Sequence, residues 1–275
     1  MGIHMSPDVI LTLAIPTFNR AEYLSELLNQ INSDLNFNSV GRLEVLVVNN
    51  DSTDCTEEIV LEKNMPALRY IKNPFNIGGD SNFINCVRHA SGEYVWLFGD
   101  DEIYIPGALN RVLAAIECKP ALLIVESEFY ERIEADSYGS LLKKALPLDP
   151  IFQVHHTLIT KNVFPKSAFD LDFAKSKIDT NFSHIYGLLS HLSKPGKVVV
   201  FSKKEAAFEI RKVRAAFAVP PINLEKKLVQ LSLDFSSVLE DSQLYRGTWM
   251  YYKARPLYNL VFSKSIKRIK NRFIG

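Results

Sequence analysis

Alternation of short apolar segments with helix-like segments dominates the first 125 residues of the chain. The apolar segments have the length of buried strands, and the segments between them repeat apolar residues at helical spacing. The strand-like segments are residues 9–15, 43–48, 68–71, 94–98 and 121–125, and the helix-like ones are residues 21–31, 54–62, 80–90 and 106–116. Repeated strand–helix units predict an α/β fold with a Rossmann-like, mostly parallel sheet flanked by helices.

The second half of the chain is less regular. It predicts a helix over residues 180–192, a strand over 197–201 and an amphipathic helix over 223–239. Hydrophobic residues make up 47% of the chain, enough for a substantial core, and a net charge of +1 gives no chain-wide attraction for nucleic acid. The sequence has no signal-peptide pattern and no apolar run of the roughly 20 residues needed to span a bilayer. We therefore expect a cytoplasmic protein whose natural chain begins at Met5.

An acidic cluster directly follows the fourth strand-like segment. Asp100, Asp101 and Glu102 are consecutive, and such charges beside a buried strand are costly unless something uses them. Carboxylate oxygens are the ligands that Mg²⁺ and Mn²⁺ prefer, so a metal site is one interpretation. The alternative is an acidic turn ahead of the helix that Pro106 begins.

Two further polar segments follow strands. Residues 49–54 can hydrogen-bond a base or a ribose, although Ser52, Thr53 and Asp54 are also common helix-capping residue types. We expect Asp54 and Glu57 to form a capping box. Residues 76–79, Asn-Ile-Gly-Gly, are typical of backbone that approaches a ligand closely. The absence of GxGxxG and Walker A patterns argues against nicotinamide dehydrogenases and P-loop NTPases, and no GxSxG elbow occurs.

Five motifs occur in order: Ile-Pro-Thr-Phe-Asn-Arg at 15–20, Val-Val-Asn-Asn-Asp-Ser-Thr-Asp at 47–54, Asn-Ile-Gly-Gly at 76–79, Ala-Ser-Gly-Glu-Tyr at 90–94 and Gly-Asp-Asp-Glu at 99–102. Their order and sequences resemble those of the family 2 glycosyltransferases, which have the A-type glycosyltransferase fold. Asn49 and Asn50 replace the family's usual acid pair, Asp51 its usual glycine and Gly99 the first acid of its metal motif. The resulting Gly-Asp-Asp variant resembles enzymes that attach deoxysugars in bacterial surface polysaccharides, such as abequosyltransferases.

This resemblance implies transfer of a sugar from a nucleotide-sugar donor to a hydroxyl of a glycan or lipid-linked glycan. The setting would be O-antigen or other surface polysaccharide synthesis, and the sugar a 3,6-dideoxyhexose such as abequose. Residues 5–125 would bind the nucleotide sugar, and residues 126–215 would be the acceptor-binding half of the same catalytic domain. Asp101 would bind Mn²⁺ or Mg²⁺. The nucleotide-binding residues that the resemblance implies are Pro16, Thr17, Asn19, Arg20, Asn49, Asn50, Asp51, Asn76, Gly79 and Asp100.

An inverting transfer needs a general base near the acceptor hydroxyl. The family keeps an acid for this purpose near the start of a helix, about a dozen residues before a glycine. Counting back from Gly196 leads to His184, and Asp179 is the nearest acid. His184 is therefore the base candidate and Asp179 the alternate. The other interpretation of His184 is a half-buried helix residue without a catalytic role.

Residues 216–275 are expected to form a helical, basic C-terminal region. From Arg246 onward there are eight basic residues and no acidic ones, interleaved with aromatic and aliphatic residues. Such a segment suits an anionic membrane surface at the cytoplasmic face of the inner membrane, and the alternative is a helix packed on the catalytic domain. Two other functions stay open. One is a sugar-phosphate nucleotidylyltransferase, which needs a glycine that residues 16–20 lack, and the other is a non-catalytic nucleotide-sugar-binding module.

Overall fold

The computed structural model describes residues 9–35, 41–149, 152 and 157–211, together with residues 226–228, 230, 231, 233, 234 and 237. Ten strands are arranged in two sheets in these parts of the chain. They are β1 (Leu11–Thr17), β2 (Leu43–Asn49), β3 (Leu68–Lys72), β4 (Tyr94–Leu97), β5 (Ile103–Tyr104), β6 (Leu122–Ile124), β7 (Ile133–Ala135), β8 (Asn162–Pro165), β9 (Val198–Val200) and β10 (Phe208–Glu209).

The larger sheet has the order β3-β2-β1-β4-β8-β6-β9-β7 and is mostly parallel, as predicted. β3, β2, β1 and β4 are parallel neighbours, and β6 is parallel to β9. β8 runs antiparallel between β4 and β6, and β7 runs antiparallel to β9 at the edge. Because β8 is reversed, its amino end lies at the same sheet edge as the carboxyl ends of β4 and β6. β5 and β10 form a separate antiparallel pair.

Helices cover both faces of the larger sheet. The helices are α1 (Ala21–Asp34), α2 (Thr56–Leu61), α3 (Gly79–His89), α4 (Ala108–Ile116), α5 (Tyr138–Ala145), α6 (Leu171–Ser176) and α7 (Ser183–Leu192). Apolar residues of α1, α2 and α4 pack on one face, and those of α3, α5 and α7 pack on the other. β1 and β2 are buried along their whole length, as expected for parallel strands covered on both faces.

Two local expectations from the sequence are wrong. The first strand does not end at residue 15 as predicted, because β1 continues to Thr17 and Pro16 is a buried strand residue. The capping box of Asp54 and Glu57 does not form, because the Asp54 carboxylate has other donors. Its Oδ1 accepts from the backbone N–H and the hydroxyl of Thr56, and its Oδ2 accepts from the N–H of Ala21 at the start of α1. Glu57 instead pairs with a lysine of β3.

The amino-terminal edge of the sheet holds a buried carboxylate, that of Glu44. It accepts hydrogen bonds from Thr12 Oγ1 and Arg69 Nη1, both at 2.6 Å, and from the N–H and hydroxyl of Ser91 at 2.8 and 2.9 Å. Gly92 donates its N–H to Thr12 Oγ1, and a Cβ at Gly92 would lie 2.6 Å from the Thr12 nitrogen. The Ala-Ser-Gly-Glu-Tyr motif therefore stabilises the fold at the edge opposite the polar loops.

We expect Glu44→Gln to lower the free energy of unfolding at neutral pH by about 1–3 kcal/mol, because the amide places a donor where the carboxylate accepts. Burial raises the pKa of Glu44, but the hydrogen bonds outweigh it and hold the pKa below its usual value of 4.5. The wild-type advantage should therefore be full above that value and disappear as the pH falls through the lower, folded-state pKa. Urea unfolding at several pH values measures this, with the exposed Glu62→Gln as control. Equal stability of Glu44→Gln and wild type at pH 7 would contradict the prediction.

The described part of residues 226–237 is helical and packs on the helices that cover one face of the larger sheet. Leu228 and Leu231 belong to the same core as α3, α5 and α7. The Tyr186 hydroxyl donates to Asp234 Oδ2 at 2.7 Å. The basic segment from residue 246, and with it the expected membrane contact, lies outside the described residues. Over the portion of the chain that the structure describes, no helix is both long and apolar enough to cross a bilayer.

Candidate active site

Four loops leave the carboxyl ends of β1, β2, β3 and β4. The first three are joined by hydrogen bonds from the side chains of one loop to the neighbouring loop. The Asn19 N–H donates to Ser52 Oγ at 2.9 Å, and Asn19 Oδ1 accepts from the Thr53 N–H at 2.8 Å. Asn50 Nδ2 donates to Asn76 Oδ1 at 2.8 Å, which joins the loop after β2 to the loop after β3. The nucleotide-binding candidates Asn19, Asn50 and Asn76 therefore lie together at one edge of the sheet.

Two of these loops contain residues in the left-handed region of backbone space. Asn19 has φ 53° and Asp51 has φ 61°. Asn and Asp enter this region more readily than most residues with a side chain. This explains how Asp51 replaces the glycine that the motif usually has. Its half-exposed carboxylate lies 3.9 Å from Lys72 Nζ.

The two amides that replace the usual acid pair are buried and already hydrogen-bonded. Asn49 Oδ1 accepts from the Ser52 N–H at 2.9 Å, and Asn49 Nδ2 donates to the Tyr70 hydroxyl at 2.8 Å. Asn50 Oδ1 accepts from Asn73 Nδ2 and from a backbone N–H of the loop after β3, both at 3.0 Å. A carboxylate only accepts hydrogen bonds. The two amides therefore fit a network in which each side chain must both donate and accept.

Arg20, in the loop after β1, bridges two acids of the loop after β4. Its Nη1 lies 2.8 Å from Asp100 Oδ1 and also 2.8 Å from Asp101 Oδ2. The Asp100 side chain is 5% exposed, whereas those of Asp101 and Arg20 are 36% and 43% exposed. Burial raises the pKa of Asp100 to about 6, against the attraction of the Arg20 charge. The site thus pairs one deeply buried and one accessible carboxylate with a single, accessible cation.

Gly99 stands where the motif usually has a first acid, and packing explains why. Its N–H donates to Thr160 Oγ1 at 2.9 Å. A Cβ at this position would lie 3.3 Å from both Thr160 Oγ1 and Asp101 Oδ1, so a larger side chain would displace its neighbours. Thr160 is held in turn by Trp96, whose Nε1 donates to the Thr160 carbonyl at 2.7 Å.

Sequence reasoning missed three charged residues at this edge. Lys161 forms a nearly buried ion pair with Glu126. Arg211 donates from Nε to the Asp101 carbonyl at 3.1 Å and from its backbone N–H to Glu102 Oε2 at 3.3 Å. Burial, followed by the Asp101 charge, raises the pKa of Glu102 to about 7. Glu126 follows β6 and Lys161 precedes β8, so their meeting depends on the reversed direction of β8, which no local pattern predicts.

The base candidate His184 is a buried residue of α7. It is 4% exposed, and its Nε2 donates to the Thr157 carbonyl at 2.7 Å. Its Nδ1 is buried without a hydrogen-bond partner, and its ring packs edge-on against Phe83. The ring is therefore more deeply buried than the half-buried residue of the non-catalytic interpretation, and burial lowers the pKa of His184 to about 4. This geometry favours a packing role, and the role of His184 as a base stays a prediction.

The alternate candidate, Asp179, is exposed just before α7 and has φ 72°. Its backbone carbonyl accepts from Lys227 Nζ. α7 begins at Ser183, three residues later than predicted. The left-handed backbone of Asp179 and of Asn181, with φ 69°, precedes it, and the buried Asp80 carboxylate accepts from the Ser183 N–H at 3.1 Å. Asp80 Oδ1 accepts from the Ser183 hydroxyl at 2.7 Å, and its Oδ2 accepts from the Asn181 N–H at 2.8 Å. The role of Asp179 as a base also stays a prediction.

The positions of Asp100 and Asp101 fit a shared divalent cation. One oxygen of each lies 2.8 Å from the same nitrogen, so the two oxygens converge on one point that a guanidinium now fills. Among the described residues, no group of three or more His, Cys, Asp or Glu side chains could hold a metal. Mg²⁺ is commonly held by one or two carboxylates together with water and substrate phosphates. Asp100 and Asp101 would supply that share of the ligands.

The model of glycosyl transferase family 2 matches residues 12–166, which is more than half of the chain. The chain belongs to glycosyl transferase family 2. The matched region contains all five sequence motifs and the whole Arg20–Asp100–Asp101 cluster.

Individual relatives agree with the predicted fold. Abequosyltransferase RfbV of Salmonella typhimurium is 27% identical over 226 residues, which cover 71% of this chain and 65% of the relative, less than two thirds of its length. S. aureus TarS 1-349 in complex with UDP-GlcNAc has a TM-score of 0.63 at 17% identity, covering 84% of this chain and 70% of that one. Mannosyltransferase PcManGT from Pyrobaculum calidifontis in complex with GDP-Man and Mn²⁺ has a TM-score of 0.57 at 17% identity, covering 96% and 82%.

Proposed function

We propose that the chain transfers a sugar from a nucleotide-sugar donor to a hydroxyl of a glycan or lipid-linked glycan, in bacterial O-antigen or other surface polysaccharide synthesis. The observation that carries this proposal is the meeting of four loops at the carboxyl edge of the sheet, where Arg20 bridges Asp100 and Asp101. Ligands of open α/β sheets bind at such edges. The similarity to an abequosyltransferase supports a 3,6-dideoxyhexose such as abequose as the sugar.

In this proposal the loops after β1, β2 and β3 bind the nucleotide. Asp100 lies beside the ribose or sugar, and its Oδ1 also faces the metal position next to Asp101. Asp101 binds Mn²⁺ or Mg²⁺, which when present offsets the negative charge on the departing diphosphate. The Mn²⁺ in the PcManGT complex and the UDP-GlcNAc in the TarS complex support this arrangement. Residues 5–125 are the donor half and residues 126–215 the acceptor half. The sugar transfer would take place in the cytoplasm, at the cytoplasmic face of the inner membrane if the acceptor is lipid-linked.

The general base has two candidates, which differ in what they require. His184 offers only Nδ1, because Nε2 already donates to Thr157, and the ring must be uncovered before an acceptor reaches it. Asp179 is already exposed, and its carboxylate would have to turn toward the acceptor. In either case the base must lie within hydrogen-bond reach of the hydroxyl from which it takes the proton.

The two rival functions have different consequences. Membership of glycosyl transferase family 2 does not favour a sugar-phosphate nucleotidylyltransferase. A non-catalytic module would bind a nucleotide sugar without breaking its anomeric bond. Metal-dependent hydrolysis of the bound donor, followed over hours, separates that module from an enzyme.

Thermal shift with UDP, GDP, CDP and dTDP sugars in Mn²⁺ tests the proposal directly. A donor present at about 100 times its dissociation constant stabilises the fold by about 2.7 kcal/mol. For a chain of this size that corresponds to a rise in Tm of about 5–10 °C. We expect one nucleotide class to give this shift, and EDTA to reduce it. If none of the four classes moves the Tm in Mn²⁺, the proposed donor binding is contradicted.

A further inference from the structure

Arg20 contacts the same two carboxylate oxygens that would ligate a divalent cation. A single atom, Nη1, contacts Asp100 Oδ1 and Asp101 Oδ2, both at 2.8 Å. A metal ligated by these oxygens would use the same lone pairs, and its charge would repel the guanidinium. Arg20 and the metal therefore cannot occupy this position together.

We propose that Arg20 competes with the divalent cation in the donor-free protein, and that its guanidinium moves to the donor diphosphate when metal and donor bind. This inference rests on the proposed function and concerns the order of events within the same site. Arg20 would thus bind two anionic partners in turn, first the two carboxylates and then the diphosphate. Carboxylate pairs and phosphate oxygens are both groups that the planar guanidinium binds through several N–H donors.

Burial explains why a cation must stay at the site. The Asp100 side chain is only 5% exposed, and a buried carboxylate without a partner is costly. Two neighbouring cations are already engaged, since Lys161 pairs with Glu126 and Arg211 donates to the Asp101 carbonyl. Arg20 supplies the charge until a metal replaces it.

The surroundings of Arg20 explain how it can leave. Its side chain is 43% exposed, so it can turn into solvent without passing through the core. The backbone on either side is held by other groups. Ser52 Oγ accepts from the Asn19 N–H at 2.9 Å, and Asp54 Oδ2 accepts from the Ala21 N–H at 3.1 Å. A change of side-chain rotamer can therefore release Asp101 while the loop stays in position.

The test measures binding of Mn²⁺ alone to the donor-free protein, from the electron paramagnetic resonance signal of the free ion. We expect Arg20→Gln to bind Mn²⁺ about tenfold more tightly than wild type, because a partly exposed, charge-assisted contact no longer competes. Arg20→Lys should lie between the two. The matched control is Arg42→Gln, which removes an exposed pair with Glu117 and should leave Mn²⁺ affinity unchanged.

A second measurement, of pyrophosphate affinity, is expected to change in the opposite direction to Mn²⁺ affinity. In saturating Mn²⁺, we expect Arg20→Gln to bind inorganic pyrophosphate more weakly than wild type, because the guanidinium that the metal releases is the proposed partner of the pyrophosphate. Tighter Mn²⁺ binding with weaker pyrophosphate binding supports the exchange, and general unfolding would weaken both. Unchanged or weaker Mn²⁺ affinity of Arg20→Gln, or no Mn²⁺ binding by it, overturns the proposal. Sugar transfer by the wild-type protein would still stand in that case, so the two failures are distinguishable.

Discussion

Asp101→Asn is expected to abolish sugar transfer, lowering turnover by about a thousandfold or more. A metal that stabilises the departing diphosphate contributes several kcal/mol, and about 1.4 kcal/mol corresponds to a tenfold change in rate. The amide keeps the shape of the side chain but loses the charge that attracts a hard cation. Nucleotide binding should weaken in Mn²⁺ or Mg²⁺, whereas in EDTA the variant and the wild type should bind the nucleotide equally.

The matched control for this prediction is Asp172→Asn. The Asp172 side chain is 92% exposed and pairs with Lys175 in the same helix, so its replacement should leave turnover unchanged. Turnover and nucleotide affinity are measured for both variants in Mn²⁺ and in EDTA. Full wild-type turnover in EDTA, or an active Asp101→Asn, would show that Asp101 does not bind an essential metal.

His184→Ala is expected to lower the free energy of unfolding by about 2–4 kcal/mol. The substitution leaves a cavity beside Phe83 and removes the hydrogen bond to the Thr157 carbonyl. His184→Gln is the matched variant, because its amide nitrogen can still donate to that carbonyl while the imidazole lone pair is lost. We expect His184→Gln to keep most of the stability and most of the turnover.

The pH dependence separates packing from catalysis at His184. Its folded-state pKa of about 4 lies below the ordinary value of 6.5, so the unfolded chain binds the extra proton between these values. Wild-type stability should therefore be full above pH 6.5 and fall as the pH drops toward 4, and this slope should be smaller in His184→Gln. A folded His184→Gln whose turnover falls by about a hundredfold or more would instead assign the base to Nδ1.

Much of the fold was accessible from the sequence because its signals are local. Apolar runs as long as those of β1 and β2 predict strands that are buried on both faces, and they are. Asp100 and Asp101 could also be recognised from a local signal, because charged residues just after an apolar run stand out in the sequence. By contrast, β5 and β10 are only two residues long, and β7 has a glutamate at its centre, so it lacks the apolar run that marks β6 and β9, which are equally short.

What the sequence did not predict depends on contacts between distant parts of the chain. The Asp54 carboxylate follows a common capping pattern, yet the N–H of Ala21 and the Thr56 hydroxyl are its partners. The burial of His184 was underestimated because helical spacing does not reveal how deeply a helix packs. The resemblance to a family supplied what the residue patterns left open, above all the expectation of a metal site rather than an acidic turn, which stays a prediction.

The interlocking of the first three loops limits how this protein can be re-engineered. Asn19 is bonded to Ser52 and Thr53, and Asn50 is bonded to Asn73 and Asn76. A loop transplanted alone from another transferase would arrive without the donors and acceptors that hold it. Under the proposed function, donor preference would belong to the three segments as one hydrogen-bonded unit, and exchanging it would require moving them together.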